Sequence, residues 1–145
     1  MLVDDQFFNV QALKIILKHS VGIPNAENII DYCLNGLEAV KMVEQDLLKN
    51  EHRWCSYDLI LMDCNMPVMD GYTSTTRIRE LLHSAGLVQP IISAVTGHTE
   101  EAYIERSILS GMNQVLSKPV GIPLVRYLAH QLGYFDEENV KEIKV

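Results

Sequence analysis

The chain has 145 residues, 48% of them apolar and 21% charged, which is enough apolar material for one sizeable core and is a globular composition with no sign of disorder. Nineteen acidic residues against twelve basic ones leave a net charge of −7, the wrong balance for a surface that neutralises nucleic-acid phosphates. No stretch approaches the roughly 20 apolar residues that cross a bilayer, and no basic-then-apolar leader opens the chain.

Short apolar runs alternate with longer stretches of helical period, the pattern of a parallel sheet flanked by helices. Leu2-Val3 begins a first strand that ends at the acidic pair Asp4-Asp5. A helix follows, with Val10, Leu13, Ile16 and Leu17 on one face. Ile29-Ile30 and Tyr32-Cys33 read as the second strand, and Asn35-Gly36 as a turn into a helix carrying Val40, Val43, Leu47 and Leu48. The stretch Asn50 to Tyr57 reads as an extension of that helix plus a surface connection.

Leu59-Ile60-Leu61-Met62 is a continuous apolar run of the kind found in a central strand covered on both faces, and it stops at Asp63. After a loop marked by Pro67 and Gly71, a third helix carries Ile78, Leu81 and Leu82. Ile91 to Val95 form a fourth strand ending at Thr96, and the helix after it carries Ile104, Ile108 and Met112. Val115-Leu116 is a fifth strand ending at Lys118-Pro119, and a last helix from about Pro123 buries Leu124, Leu128 and Leu132. These five βα units give one domain over residues 1–132. Residues 133–145 form a charged tail or the start of a linker.

The three cysteines, Cys33, Cys55 and Cys64, are odd in number and lack CxxC spacing. They read as reduced thiols of a cytoplasmic domain, whether or not a parent protein is anchored in a membrane. The histidines at 19, 52, 83, 98 and 130 have no i, i+4 pair and no cysteine at zinc spacing, so no zinc site is expected.

Asp4 and Asp5, Asp63, Thr96 and Lys118 each stand at the C-terminal end of a predicted strand. Open parallel sheets bind ligands outside the carboxyl ends of their strands. The five side chains should therefore meet in one crevice although more than 110 positions separate the first from the last. Singly they have ordinary readings: Asp5 as a helix N-cap, Thr96 as a capping hydroxyl, Lys118 as a solvated charge. Together they put three carboxylates where they repel one another, a conflict that a bound cation resolves. An all-oxygen donor set suits Mg²⁺, while Lys118 and Thr96 can serve phosphoryl oxygens. A carboxylate can attack phosphorus to give an acyl phosphate, so Asp63 is the candidate nucleophile.

The run Met62-Asp63-Cys64-Asn65-Met66-Pro67-Val68-Met69-Asp70-Gly71 resembles the phosphoacceptor segment of response regulator receiver domains, above all those of hybrid histidine kinases. Val3-Asp4-Asp5 and Leu116-Ser117-Lys118-Pro119 resemble the family's other two markers, so the resemblance spans residues 2 to about 132. It implies a flavodoxin-like, CheY-like doubly wound fold with five parallel strands in the order 2-1-3-4-5. It implies Asp63 as phosphoacceptor and Mg²⁺ held by Asp5, by Asp4 through water, by Asp63 and by the backbone carbonyl of Asn65. Thr96 and Lys118 would contact the phosphoryl group, and Asn65 and His98 would tune its lifetime. The donor would be a phosphohistidine on a histidine kinase or a histidine phosphotransfer protein. The domain would catalyse its own phosphotransfer and autodephosphorylation, without direct membrane contact, and a phosphorylation-dependent dimer is compatible with the pattern.

This sequence departs from the family in two ways: its first strand is short before the acidic pair, as in a fragment cut from a longer protein, and Val115 stands where many receivers carry a switching Tyr or Phe. Gly97 after Thr96 keeps the small residue usual there. The alternative is a pseudo-receiver, a protein-binding module that keeps the fold without phosphorylation. A haloacid-dehalogenase-like phosphatase needs an acidic residue two after the nucleophile, where this chain has Asn65, and no GxxxxGK[ST] loop occurs. The residues after Leu132 are too few for an output domain, which leaves a single-domain shuttle or a terminal receiver of a hybrid kinase.

Overall fold

The computed structural model describes residues 1–134. Five strands, β1 (Leu2–Val3), β2 (Tyr32–Cys33), β3 (Leu59–Asp63), β4 (Ile91–Thr96) and β5 (Gln114–Ser117), form one sheet. All pairings are parallel, as the sequence pattern predicts, and the order β2-β1-β3-β4-β5 is the one the family resemblance implies. The helices are α1 (Phe7–Ile15), α2 (Ala26–Ile29), α3 (Gly36–Lys49), α4 (Gly71–Ser84), α5 (Glu101–Leu109) and α6 (Ile122–Gln131). None of them is long and apolar enough to cross a membrane. Of the charged tail expected at 133–145, all but the first two residues lie outside the described residues.

Because side chains alternate across a strand, β3 feeds both faces of the sheet. Ile60 and Met62 join Val43, Leu47, Ile78 and Leu82 in one core, beneath α3 and α4. Leu61 joins Val10, Leu13, Leu17, Val125 and Leu128 in the other, beneath α1 and α6. Each fully buried Leu or Ile contributes about 1.5–3 kcal/mol relative to exposure. α3 and α4 are started by side-chain caps: Asn35 accepts from the Glu38 N–H at 2.9 Å and Asp70 from the Thr73 N–H at 2.7 Å.

Several local expectations need correction. Ile29 closes α2 and Ile30 follows it as an extended residue, so only Tyr32–Cys33 pairs in the sheet. An extra loop here is reached through a π-helical turn, Ile16–Ser20, whose end is held by Arg126 Nε donating to the Ser20 carbonyl at 2.7 Å. Leu48, Ile104, Ile108 and Leu124 lie on exposed faces. On α5 the inward residue is Ser107, whose hydroxyl is satisfied by the Tyr103 carbonyl at 2.9 Å, and α6 turns Val125, Leu128 and Ala129 inward. α3 stops at Lys49 instead of extending. Asn50 then braces the connection, donating to Asp46, to the Trp54 carbonyl and to Ser56, and holding Glu51 and His52 at positive φ.

Candidate functional site

Strand register brings the site residues together. Val3 is opposite Met62, which sets Asp4 beside Asp63 one step further along. Thr96 is opposite Ser117, and the Lys118 N–H donates to the Thr96 carbonyl at 2.8 Å. Asp4, Asp63 and Thr96 are buried, Asp5 is exposed, and Lys118 is half-buried. All five therefore converge at the carboxyl end of the sheet, as their positions in the sequence imply.

Lys118 Nζ bridges two of the carboxylates, 3.0 Å from Asp4 Oδ2 and 3.3 Å from Asp63 Oδ1. Asp4 has further donors. The Gln6 N–H reaches Oδ1 at 2.9 Å, and the Asn9 amide Nδ2 lies 3.1 Å from both oxygens. Asp5 is not a helix cap; that position belongs to Gln6, which has no side-chain capping bond. Thr96 Oγ1 accepts from the His98 N–H at 3.1 Å. The His98 ring stacks on Tyr103 with centroids 4.5 Å apart, and its Nδ1 is 3.7 Å from Glu100. Asn65 is exposed.

Burial pushes the Asp63 carboxyl above its ordinary value; the nearby Lys118 ammonium opposes this and the Asp4 carboxylate adds to it. Burial alone would lower Lys118, but the Asp4 and Asp63 carboxylates outweigh it and hold the ammonium charged. One oxygen from each of Asp4, Asp5 and Asp63 lies within 4.8 Å of the other two. Three hard oxygen donors with one exposed side fit a divalent cation that keeps part of its water shell, as Mg²⁺ does.

The loop after Asp63 is tied down closely. Gly71 N–H donates to the Cys64 carbonyl at 2.9 Å. A Cβ on Gly71 would sit 2.1 Å from the Asp63 carbonyl oxygen, so only glycine lets α4 start this near the strand end. Val68 takes a positive φ of 69° in the same loop, an uncommon state for a β-branched residue. Arg106 of α5 pairs with Asp70 at 3.5 Å and lies over the Tyr72 ring at 4.1 Å. Asn9 and Arg106 carried no motif in the sequence. Asn9 had only the weak signal of a polar residue on the first turn of an otherwise apolar helix face.

The family model of the response regulator receiver domain matches residues 1–128. "Two-component system protein A" of Emericella nidulans is 40% identical over 120 residues, which is 83% of this chain and 15% of that protein. The chain thus spans only a small part of such relatives. Among solved structures, the receiver domain of the histidine kinase CKI1 from Arabidopsis thaliana, complexed with Mg²⁺ and BeF3−, superposes with a TM-score of 0.76 at 29% identity, covering 92% of this chain and 88% of that one. The co-crystal of the Saccharomyces cerevisiae phosphotransfer protein Ypd1 with the receiver domain of Ssk1 shares the fold, with a TM-score of 0.70 at 24% identity, covering 94% of this chain and 90% of that one.

 A family match over nearly the whole described chain, relatives of up to 40% identity and solved receiver domains with the same fold lead to one conclusion: the chain belongs to the response regulator receiver domains of two-component signalling, and is most like those of hybrid histidine kinases.

Proposed function

We propose that this receiver takes a phosphoryl group from a phosphohistidine onto Asp63, with Mg²⁺ bound by Asp5, Asp63, the Asn65 carbonyl and, through water, Asp4. The observation that carries this reading is Lys118 straddling Asp4 and Asp63 at the carboxyl end of the sheet, with Asp5 and Thr96 beside them. In the transfer, the P–N bond of the donor breaks as a bond forms from an Asp63 carboxylate oxygen to phosphorus. The departing imidazole nitrogen takes its proton from solvent. Bound Mg²⁺ supplies positive charge against the phosphoryl oxygens. Lys118 offers its ammonium to one of those oxygens and Thr96 its hydroxyl to another, in a water-poor setting where such donors act most strongly. Asn65 and His98, at the rim, set how readily water reaches the acyl phosphate.

The donor is a histidine kinase or a histidine phosphotransfer protein. An apolar groove of about 420 Å³ beside the site, walled by Phe8, Ala12, Ile16, Pro119 and Val120, supports a protein donor, and Phe8 is 80% exposed. The solved Ypd1–Ssk1 pair is a receiver bound to such a protein. Service within a cytoplasmic part of a hybrid kinase belongs to the same reading. The test is intact-protein mass after incubation with acetyl phosphate, with and without Mg²⁺, beside Asp63→Ala. A Mg²⁺-dependent gain of one phosphoryl group, lost in the variant, is expected. No gain in the folded wild-type protein would favour a phosphorylation-independent binding module.

A further inference from the structure

We propose that Asn9 is a positioning residue for the phosphoryl site, acting through Asp4. The proposal rests on the phosphoacceptor reading above. Asp4 is 2% exposed and has one cationic partner, Lys118, on Oδ2. That partner is shared, since the same ammonium is 3.3 Å from Asp63. When Lys118 turns to a phosphoryl oxygen on Asp63, it must loosen its hold on Asp4. A buried carboxylate stripped of a donor is costly unless another donor stays.

Asn9 is that donor. Its amide nitrogen lies 3.1 Å from Oδ1 and 3.1 Å from Oδ2, so it grips the carboxylate across both oxygens, while the Gln6 N–H fixes Oδ1 alone at 2.9 Å. Asn9 stands on the first turn of α1, whose inner face is anchored by Val10 and Leu13 in the core. Its position is therefore set by the fold and not by the state of the site. The amide is also neutral. It can hold Asp4 without competing for the cation or the phosphoryl group, as a second lysine would. Asn9 thus keeps Asp4 oriented toward Asp5 and Asp63 while Lys118 changes partner.

The test uses Asn9→Ala and Asn9→Leu, the second keeping the branched shape and removing the donor. Mg²⁺ affinity is read first by calorimetric titration without any phosphodonor, so the outcome stands even if phosphotransfer fails in every protein. The Mg²⁺ dissociation constant should rise roughly 10-fold in both variants, the scale seen when a hydrogen-bond partner of a metal site is removed. With acetyl phosphate, the Mg²⁺ concentration giving half the maximal rate should rise in parallel, whereas Gln11→Ala, two residues further along α1 and not among the donors to Asp4, should leave both values unchanged. Folding is checked by circular dichroism. Two folded variants that bind Mg²⁺ within about twofold of wild type would overturn the proposal. A wild-type protein that binds Mg²⁺ but takes no phosphoryl group would instead overturn the phosphoacceptor reading.

Discussion

Replacing Asp63 with Asn should stabilise the metal-free protein at neutral pH while abolishing phosphorylation. The charges give the size. An Asp63–Asp4 oxygen separation of at most 4.8 Å costs at least about 3.5 kcal/mol at an effective dielectric constant of 20, and Lys118 at 3.3 Å returns about 5 kcal/mol. Burying the carboxylate costs several kcal/mol more, by the general penalty for desolvating an ion. Burial is the largest influence on Asp63, and the balance falls on the unfavourable side, which is why its carboxyl lies above the ordinary value. A carboxyl raised on folding favours the folded state while it is protonated. That contribution is complete below the ordinary value near about 4 and is lost as pH rises through the raised, folded-state value. On that charge balance Asp63→Asn should gain on the order of 1–2 kcal/mol at pH 7, or about 3–8 °C in Tm, and the gain should shrink toward zero as pH falls to about 4. Thermal unfolding in chelator across that range measures it. Excess Mg²⁺ should reverse the order, because ligand at 100 times Kd stabilises the wild type by about 2.7 kcal/mol and the variant has lost a ligand. An Asp63→Asn protein less stable than wild type by more than about 1 kcal/mol in chelator at pH 7 would refute the reasoning.

Lys118→Ala should destabilise the metal-free protein by about 3 kcal/mol, since it leaves two buried carboxylates without their shared cation, and Mg²⁺ should recover most of the loss. Transfer from acetyl phosphate should fall far more than Mg²⁺ affinity; Mg²⁺ binding that collapses in Lys118→Ala yet survives Asp5→Ala would overturn the role assignment. Away from the site, Arg79 donates to the Gly111 carbonyl at 2.9 Å, to the Pro90 carbonyl at 2.7 Å, and to Gln89 and Asn113 at 3.0 and 2.8 Å. Arg79→Lys cannot reproduce that fork and should cost roughly 1–3 kcal/mol in chemical denaturation, with faster hydrogen exchange at residues 111–114.

The cluster of Asp4, Asp5, Asp63, Thr96 and Lys118 was legible because its members are strand ends. Apolar runs as short as Leu59–Met62 announce a central strand, and the polar residue that stops each run has only one end of the sheet to occupy. The faces of the outer helices were less legible. On α5 a period of three to four fits Ile104 and Ile108 as well as Tyr103 and Ser107. The choice went to the polar pair because Ser107 fits a tight space and can return its hydroxyl to its own helix. Ile29-Ile30 has strand propensity, but the parallel register with β1 uses Tyr32 and Cys33, leaving the two isoleucines to the preceding helix and its end. Asn9 was invisible for another reason: its role depends on the direction of one amide toward a side chain five residues back, which no spacing rule specifies.

The same register that made the site legible holds it under tension. Side chains alternate along a strand, so a slip of one residue between β1 and β3 would turn Asp63 away from Asp4 and relieve their repulsion. That slip would also exchange the faces of Leu61 and Met62, driving each into a core packed around the other. Forcing side chains into a core packed for others costs about 1–3 kcal/mol at each site, which opposes the electrostatic relief. The cores thus fix the carboxylates in an arrangement they would not choose, with Lys118 divided between two of them. A divalent cation is the addition that relieves it, and the relief is available at the end of the sheet where the three carboxylates meet.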